Sequence, residues 1–213
     1  MTANKSTRIS IYYGKRIFDL LTACSCLILL SPIILSVGLI IKANSDGSIF
    51  YKQLRVGKST SKKIIFFKII KFRTMYQNSE RYSGAIWATK NDPRITSVGH
   101  FLRKTRFDEI PQLVNVIKGE MSLIGPRPER PIFYNKLENA IPFFSERTYG
   151  VLPGITGLAQ INQGYDTCVD DVRHKVGFDH SYALSLSSIY SWVVMDINII
   201  TKTIVLIFDR KGQ

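Results

Sequence analysis

An uncharged apolar run from Leu20 to Ile41, interrupted by Ser31-Pro32, constrains this chain more than any other feature. At about 22 residues it is long enough to cross a hydrocarbon core as a straight helix. Pro32 removes a backbone donor and crowds the carbonyl four residues back, so a helix through it must kink. Positive charge flanks both ends: Lys5, Arg8, Lys15 and Arg16 precede the run, and Lys42, Lys52, Arg55 and Lys58 follow it. The positive-inside rule then assigns no inside or outside. A segment that enters the membrane, bends at Ser31-Pro32 and returns to the same face satisfies both facts. The Ser31 hydroxyl is placed to bond a carbonyl freed at the break. A kinked single span and the buried helix of a soluble protein are the alternatives. A cleaved signal peptide fits poorly, because the run is too long and lacks a small-x-small site.

The net charge of +13 points to an anionic partner: nucleic acid, an anionic lipid surface or a phosphorylated substrate. No helix-turn-helix, zinc-finger or RNA-binding signature accompanies the charge, so nucleic acid is set aside. The Walker lysine loop and the Rossmann glycine fingerprint are both absent. Cys24, Cys26 and Cys168 form no disulfide framework, and with His100, His174 and His180 they make no zinc pattern.

The pattern predicts an α+β chain, mostly helical. Residues 1–14 are read as a flexible N-terminus, 15–43 as the re-entrant membrane helix, and 44–213 as a cytoplasmic catalytic domain lying on the membrane. A small β-hairpin is expected first, with strands over Ile49–Val56 and Ile64–Phe72 and a turn at Gly57–Ser61. Lys71-Phe72-Arg73 at its end reads as a phosphate clamp or as a strand edge protected by charge. A loop with a short helix is expected over 76–91, then a helix from about Ser97 to Lys104. Helices over 132–149, broken near Pro142, and over 170–185 follow. Leu158–Asn162 is read as extended. The last helix, Ser188–Phe208, reads as amphipathic, against the membrane surface or against the core; Asp196, Asn198 and Lys202 argue against a comfortable span.

Chemistry concentrates at Asp108-Glu109, two adjacent carboxylates among Arg103, Lys104, Arg106, Lys118, Arg127 and Arg130. Pro111 suits a first helical turn, which makes Asp108 the expected N-cap, with its pKa depressed by the helix. A capped surface helix with solvated charges is the bland alternative. Gly125-Pro126-Arg127-Pro128 is too rigid for helix or central strand and presents one guanidinium suited to forked phosphate binding. An enzyme acting on a phosphorylated substrate at a membrane accounts for all of this. A membrane-surface scaffold or a basic nucleic-acid-binding protein without catalysis accounts for part of it.

Ordered motifs then carry a resemblance. Lys71-Phe72-Arg73-Thr74-Met75, Asn91-Asp92-Pro93-Arg94-Ile95-Thr96, Asp108-Glu109-Ile110-Pro111-Gln112-Leu113, Lys118-Gly119-Glu120-Met121-Ser122-Leu123-Ile124-Gly125-Pro126-Arg127-Pro128 and Pro153-Gly154-Ile155-Thr156-Gly157 follow one another. With Lys15-Arg16-Ile17-Phe18-Asp19, Ser31-Pro32 and Asp196, they resemble the bacterial sugar transferases, monotopic polyprenyl-phosphate phosphoglycosyl transferases. The resemblance implies transfer of a phosphosugar from a UDP-sugar to polyprenyl (undecaprenyl) phosphate with release of UMP. It implies Asp108 as nucleophile through a covalent aspartyl-phosphosugar intermediate, Glu109 as its partner, and Mg²⁺ with Asp108 as carboxylate ligand. Arg73, Arg94, Arg103, Arg127 and Pro128 are then the expected substrate contacts. The implied location is the cytoplasmic face of the bacterial inner membrane, beside anionic lipids, with both termini cytoplasmic; a homo-oligomer is compatible with this. The chain departs from the family pattern in a longer hairpin turn near Ser59, in Val114, and in Leu152 where a basic residue often stands.

Overall fold

The computed structural model describes residues 5–60, 62–79, 84, 92–164 and 168–208. The short helix expected within 76–91 falls largely outside them. A long helix α1 (Lys5–Leu29) meets α2 (Ser31–Asn44) at a 61° bend. Pro32 sits in the first turn of α2, where its missing donor is harmless. The Ser31 hydroxyl donates to Ile28 O at 2.8 Å, and Leu30 N still reaches Cys26 O, so the corner leaves little backbone unpaired. The bend expected at Ser31-Pro32 is therefore present. α1 begins earlier than the loosely held N-terminus suggested. Ile11 is buried and Gly14 lies under the Trp192 ring, and this packing extends the helix back toward Lys5.

Strands β1 (Phe50–Thr60) and β2 (Lys63–Phe72) form an antiparallel hairpin, in register from Phe50↔Phe72 to Val56↔Phe66. The expected turn at Gly57–Ser61 is instead mostly strand: the register shifts between Val56 and Ser59, then pairing resumes to Thr60↔Lys63. Thr60 Oγ1 accepts from the amides of Lys62 and Lys63, which closes a tight turn further along.

After α3 (Ser97–Thr105) come a 3-10 helix (Phe107–Gln112) and α4 (Leu113–Lys118). β3 (Ser122–Ile124) then pairs in parallel with β4 (Gly154–Thr156), and neither strand is among the elements expected from the sequence. Between them lie α5 (Pro131–Ala140) and a 3-10 turn at Ser145–Thr148. α6 (Leu158–Asn162) is a short helix, not an extended piece. Leu158 and Ile161, three apart, both face the core, a spacing that five residues cannot assign to one period. α7 (Val169–Ser185) and α8 (Ile189–Phe208) complete the chain. The fold is thus mostly helical α+β, with a bent N-terminal helix pair, one hairpin and one parallel strand pair.

Helix α1 is riveted to the rest by its last charged residues. Lys15 pairs with Asp196 of α8 at 3.0 Å. Arg16 caps the end of α4 through Val116 O and Ile117 O at 2.5 and 2.7 Å. Asp19, fully buried, accepts from Leu123 N at 3.0 Å. Below the site, Ala23 of α1 packs with Phe67, Ile69, Leu113, Val116 and Met121. The bent pair taken together, and α8 by itself, are long and apolar enough to cross a membrane. Of the α8 residues that argued against a span, Asp196 is turned inward, buried and accepting from Lys15, Tyr182 and Trp192, while Asn198 and Lys202 stay exposed. Val193, Val194, Ile197, Ile204 and Val205 remain exposed.

Candidate active site

α3 starts with Thr96, whose hydroxyl accepts from Gly99 N, and ends where Arg106 takes a left-handed conformation at φ 58°. That reversal starts the 3-10 helix and turns Asp108 and Glu109 inward in its first turn. Asp108 is therefore not an N-cap, as its place before Pro111 suggested. The cap position belongs to Arg106, and no side chain caps this turn. Asn115 fixes the turn that follows. Fully buried, it accepts from Ile70 N and donates to Lys68 O and Glu120 Oε2, so it serves the outer edge of β2 as a neighbouring strand would.

This docking sets Lys71 against the acidic pair. Lys71 Nζ lies 2.6 Å from Glu109 Oε1, and Arg127 approaches the same oxygen at 3.4 Å. Both carboxylates are buried, and they open on a cavity of about 490 Å³ whose lining includes Lys71, Arg103 and Arg127. Among the described residues the Asp108 carboxylate accepts no hydrogen bond. Burial pushes its carboxyl up to about 6, assisted by the Glu109 charge and opposed by Lys71, Arg103 and Arg127. The depressed value expected from a helix cap is thus reversed, because desolvation dominates here. Burial would raise Glu109 too, but Lys71 and Arg127 hold it well below the usual carboxylate range. Lys71 itself is lowered by burial, which Glu109 only partly offsets. Two adjacent carboxyls are driven apart, the arrangement by which neighbouring acids acquire different roles.

Arg73, Arg94 and Arg103 also line this cavity, with their guanidinium groups held differently, whereas the expected contact Pro128 is not part of its lining. Arg103 Nε donates to Thr74 Oγ1 at 2.9 Å. Arg94 forks onto Asp92, with its shortest contact 2.6 Å. Arg73 spends its terminal nitrogens on Ser45 O and Asp46 O just past α2, tying the bent pair to the site wall. Pro128 offers its carbonyl to Arg55 Nη1 at 3.0 Å.

The Gly125–Pro128 loop is clamped from three sides. Gly125 N donates to Thr156 O and Gly154 N to Pro126 O. A Cβ on Gly125 would collide with the Leu152 carbonyl, and one on Gly154 with Gly125 N, so this backbone zipper needs glycine. Arg147, buried and paired with Asp179 at 2.7 Å, donates to Arg127 O. Val56 N donates to Glu129 O. Arg127 is thus delivered by a rigid backbone.

The sequence offered Lys71 within a possible phosphate clamp but not as the partner of Glu109. The Lys71-Phe72-Arg73 alternation was its signal: residues two apart in a strand share a face, and both cations do line the cavity. Sequence reasoning missed Arg55, which lines the cavity, and Asn115 and Arg147, which position the site from outside it.

Among the described residues, no three His, Cys, Asp or Glu side chains gather into a metal cage. Asp92 is taken up by Arg94 and Glu109 by Lys71, which leaves Asp108, with Glu129 further along the same lining, as the carboxylates open to an ion. Mg²⁺ is commonly held by one or two carboxylates plus substrate phosphates, so this donor set fits an ion that arrives with a phosphorylated substrate.

Comparison with known proteins gives this geometry a family. The family model described as bacterial sugar transferase matches residues 10–210. The chain is 44% identical over 198 residues to the UDP-N-acetylgalactosamine-undecaprenyl-phosphate N-acetylgalactosaminephosphotransferase of Aeromonas hydrophila, covering 93% of this chain and 44% of that protein. It is 38% identical to the UDP-glucose:undecaprenyl-phosphate glucose-1-phosphate transferase of Escherichia coli K12, covering 93% of this chain and 41% of that one. Exopolysaccharide production protein PSS of Rhizobium leguminosarum bv. phaseoli is 37% identical, with 90% of this chain and 93% of that protein aligned. The chain spans less than half the length of the first two relatives and nearly all of the third. On the extent of the match and these identities, the chain belongs to the bacterial sugar transferase family.

Proposed function

We infer that this protein transfers a sugar 1-phosphate from a UDP-sugar to undecaprenyl phosphate, releases UMP, and so begins the assembly of a glycoconjugate. One observation carries the reading: the Asp108 carboxyl, raised to about 6 and without a hydrogen-bond partner among the described residues, sits beside ionised Glu109 in a cavity lined by Lys71, Arg103 and Arg127. A pyrophosphate donor is polyanionic, so a carboxylate can approach it only where fixed positive charge offsets the repulsion. A desolvated carboxylate with a pKa near 6 is still mostly ionised at neutral pH and is more basic than an ordinary Asp.

The chemistry divides into two displacements. An Asp108 oxygen attacks the sugar-bearing phosphorus, and the bond from that phosphorus to the bridging oxygen breaks. UMP leaves with the electron pair, and an aspartyl-phosphosugar remains. An oxygen of the polyprenyl phosphate then attacks the same phosphorus, the acyl phosphate bond breaks, and the Asp108 carboxylate returns. Glu109 holds Lys71 and Arg127 against the reacting phosphate through both steps. Arg103, fixed by Thr74, adds charge from the α3 side. Mg²⁺, held by Asp108 together with donor phosphates, would supply further neutralisation of charge on the leaving group.

The bent α1–α2 pair supports a re-entrant anchor that enters and leaves the cytoplasmic face of the bacterial inner membrane, with anionic lipids meeting the basic flanks. This sets the active site at the depth of the lipid phosphate. The test is purified protein in detergent with polyprenyl phosphate, Mg²⁺ and a panel of UDP-sugars. UMP is released with at least one donor; folded protein that releases none with any donor contradicts the reading.

A further inference from the structure

A second, smaller cavity of about 180 Å³ shares Glu109 with the first. Its walls are Ile110 and Leu113 on one side, Ile155 and Ile161 on another, and Leu206 and Ile207 near the end of α8. Arg106 stands with Glu109 in the same lining, and the charge of Arg106 helps hold Glu109 low. A narrow apolar groove with a cation where it meets the catalytic pair suits a ligand with an anionic head and a hydrocarbon tail. A UDP-sugar has no such tail, and the larger, cation-lined cavity already suits its pyrophosphate.

We propose that this groove seats the first isoprene units of the polyprenyl phosphate acceptor, with the acceptor phosphate at Arg106, where the groove meets the dyad. The assignment rests on the transferase reading and narrows it to one path for the lipid. Continuity supports that path. Ile204, Val205 and Ile207 at the end of α8 are exposed and apolar, so the groove opens beside a surface already suited to lipid. The remaining isoprene units continue along that surface into the membrane. Donor and acceptor then reach the dyad from different cavities, which lets one nucleophile serve a water-soluble and a lipid substrate in turn.

Two experiments on the full chain in detergent test this. A polyprenyl phosphate with a benzophenone in its first isoprene units is photo-crosslinked to the wild-type protein and the adduct is mapped. Label falls within residues 155–161 and 203–207 and is competed by unmodified polyprenyl phosphate. Label elsewhere, or label that detergent alone competes, overturns the assignment. In turnover, Leu206→Trp raises the KM for polyprenyl phosphate about tenfold, the loss expected for a displaced apolar contact, and leaves the KM for the UDP-sugar unchanged. Leu184→Trp, exposed on α7 and part of neither cavity lining, changes neither. An equal rise in both KM values, or no rise, also overturns it. Absence of UMP with every donor would remove the transferase reading itself, whereas the crosslink reports on the groove without turnover.

Discussion

Asp108 is held ionised against its surroundings, and that has a measurable consequence. An acid whose folded pKa, about 6, exceeds its unfolded value binds more protons when folded between roughly pH 4 and 6. Stability therefore falls as pH rises through that window and stays lower above it. In metal-free buffer, Asp108→Asn should raise stability at pH 7.5 by on the order of 1–2 kcal/mol, and the gain should vanish near pH 4. Thermal denaturation at both pH values checks this. Glu109 has the opposite sign: its folded pKa is depressed, so its contribution is present above the unfolded value and is lost as pH falls below about 4.5. Lys71→Met leaves Glu109 buried with a weakened counter-charge. It should cost about 2–4 kcal/mol of stability by denaturant titration and lower kcat about a hundredfold. The acidic pair was legible in sequence because two carboxylates among many cations are conspicuous. The direction of the Asp108 shift was not, because it follows from burial and from the left-handed turn at Arg106, neither of which local spacing reveals.

Among the elements, β2 and α4 have the most direct hold on the site. Asn115 joins them through two backbone groups of β2. Asn115→Ala leaves Ile70 N and Lys68 O without that partner, and we expect a loss of about 2–4 kcal/mol in urea unfolding. The bent pair makes a different prediction. In a cysteine-free background, Ser10→Cys and Lys62→Cys should both be labelled from the cytoplasmic side of oriented vesicles. Labelling from opposite sides would replace the re-entrant bend by a full span. The bend was legible because Pro32 dictates it chemically. The hairpin turn was misplaced because Thr60, not the Gly57-Lys58 pair, organises it, and a bulge absorbs the difference. The β3–β4 pair was invisible at three residues per strand, with partners some thirty positions apart.

At the scale of the whole molecule, a few long-range ion pairs hold the anchor, the last helices and the catalytic loops in one arrangement. Asp196 gathers α1, α7 and α8 through Lys15, Tyr182 and Trp192. Arg147 and Asp179 brace the Arg127 loop from behind. Arg147→Met strands a buried Asp179, so it should destabilise by about 3–5 kcal/mol and slow turnover through the displaced Arg127. The longer helices were readable from apolar periodicity, and the acidic pair of the site from its charges. These ties were not, because each pairs residues far apart in sequence whose types are unremarkable alone. The central claim, that Asp108 carries the phosphosugar, is tested most directly by intact-protein mass spectrometry. Wild-type protein is incubated with its UDP-sugar and Mg²⁺ in the absence of lipid acceptor. An added sugar phosphate is expected that maps to Asp108, disappears on addition of polyprenyl phosphate, and never forms on Asp108→Asn. Turnover retained by Asp108→Asn, or an adduct mapped to another residue, would contradict it.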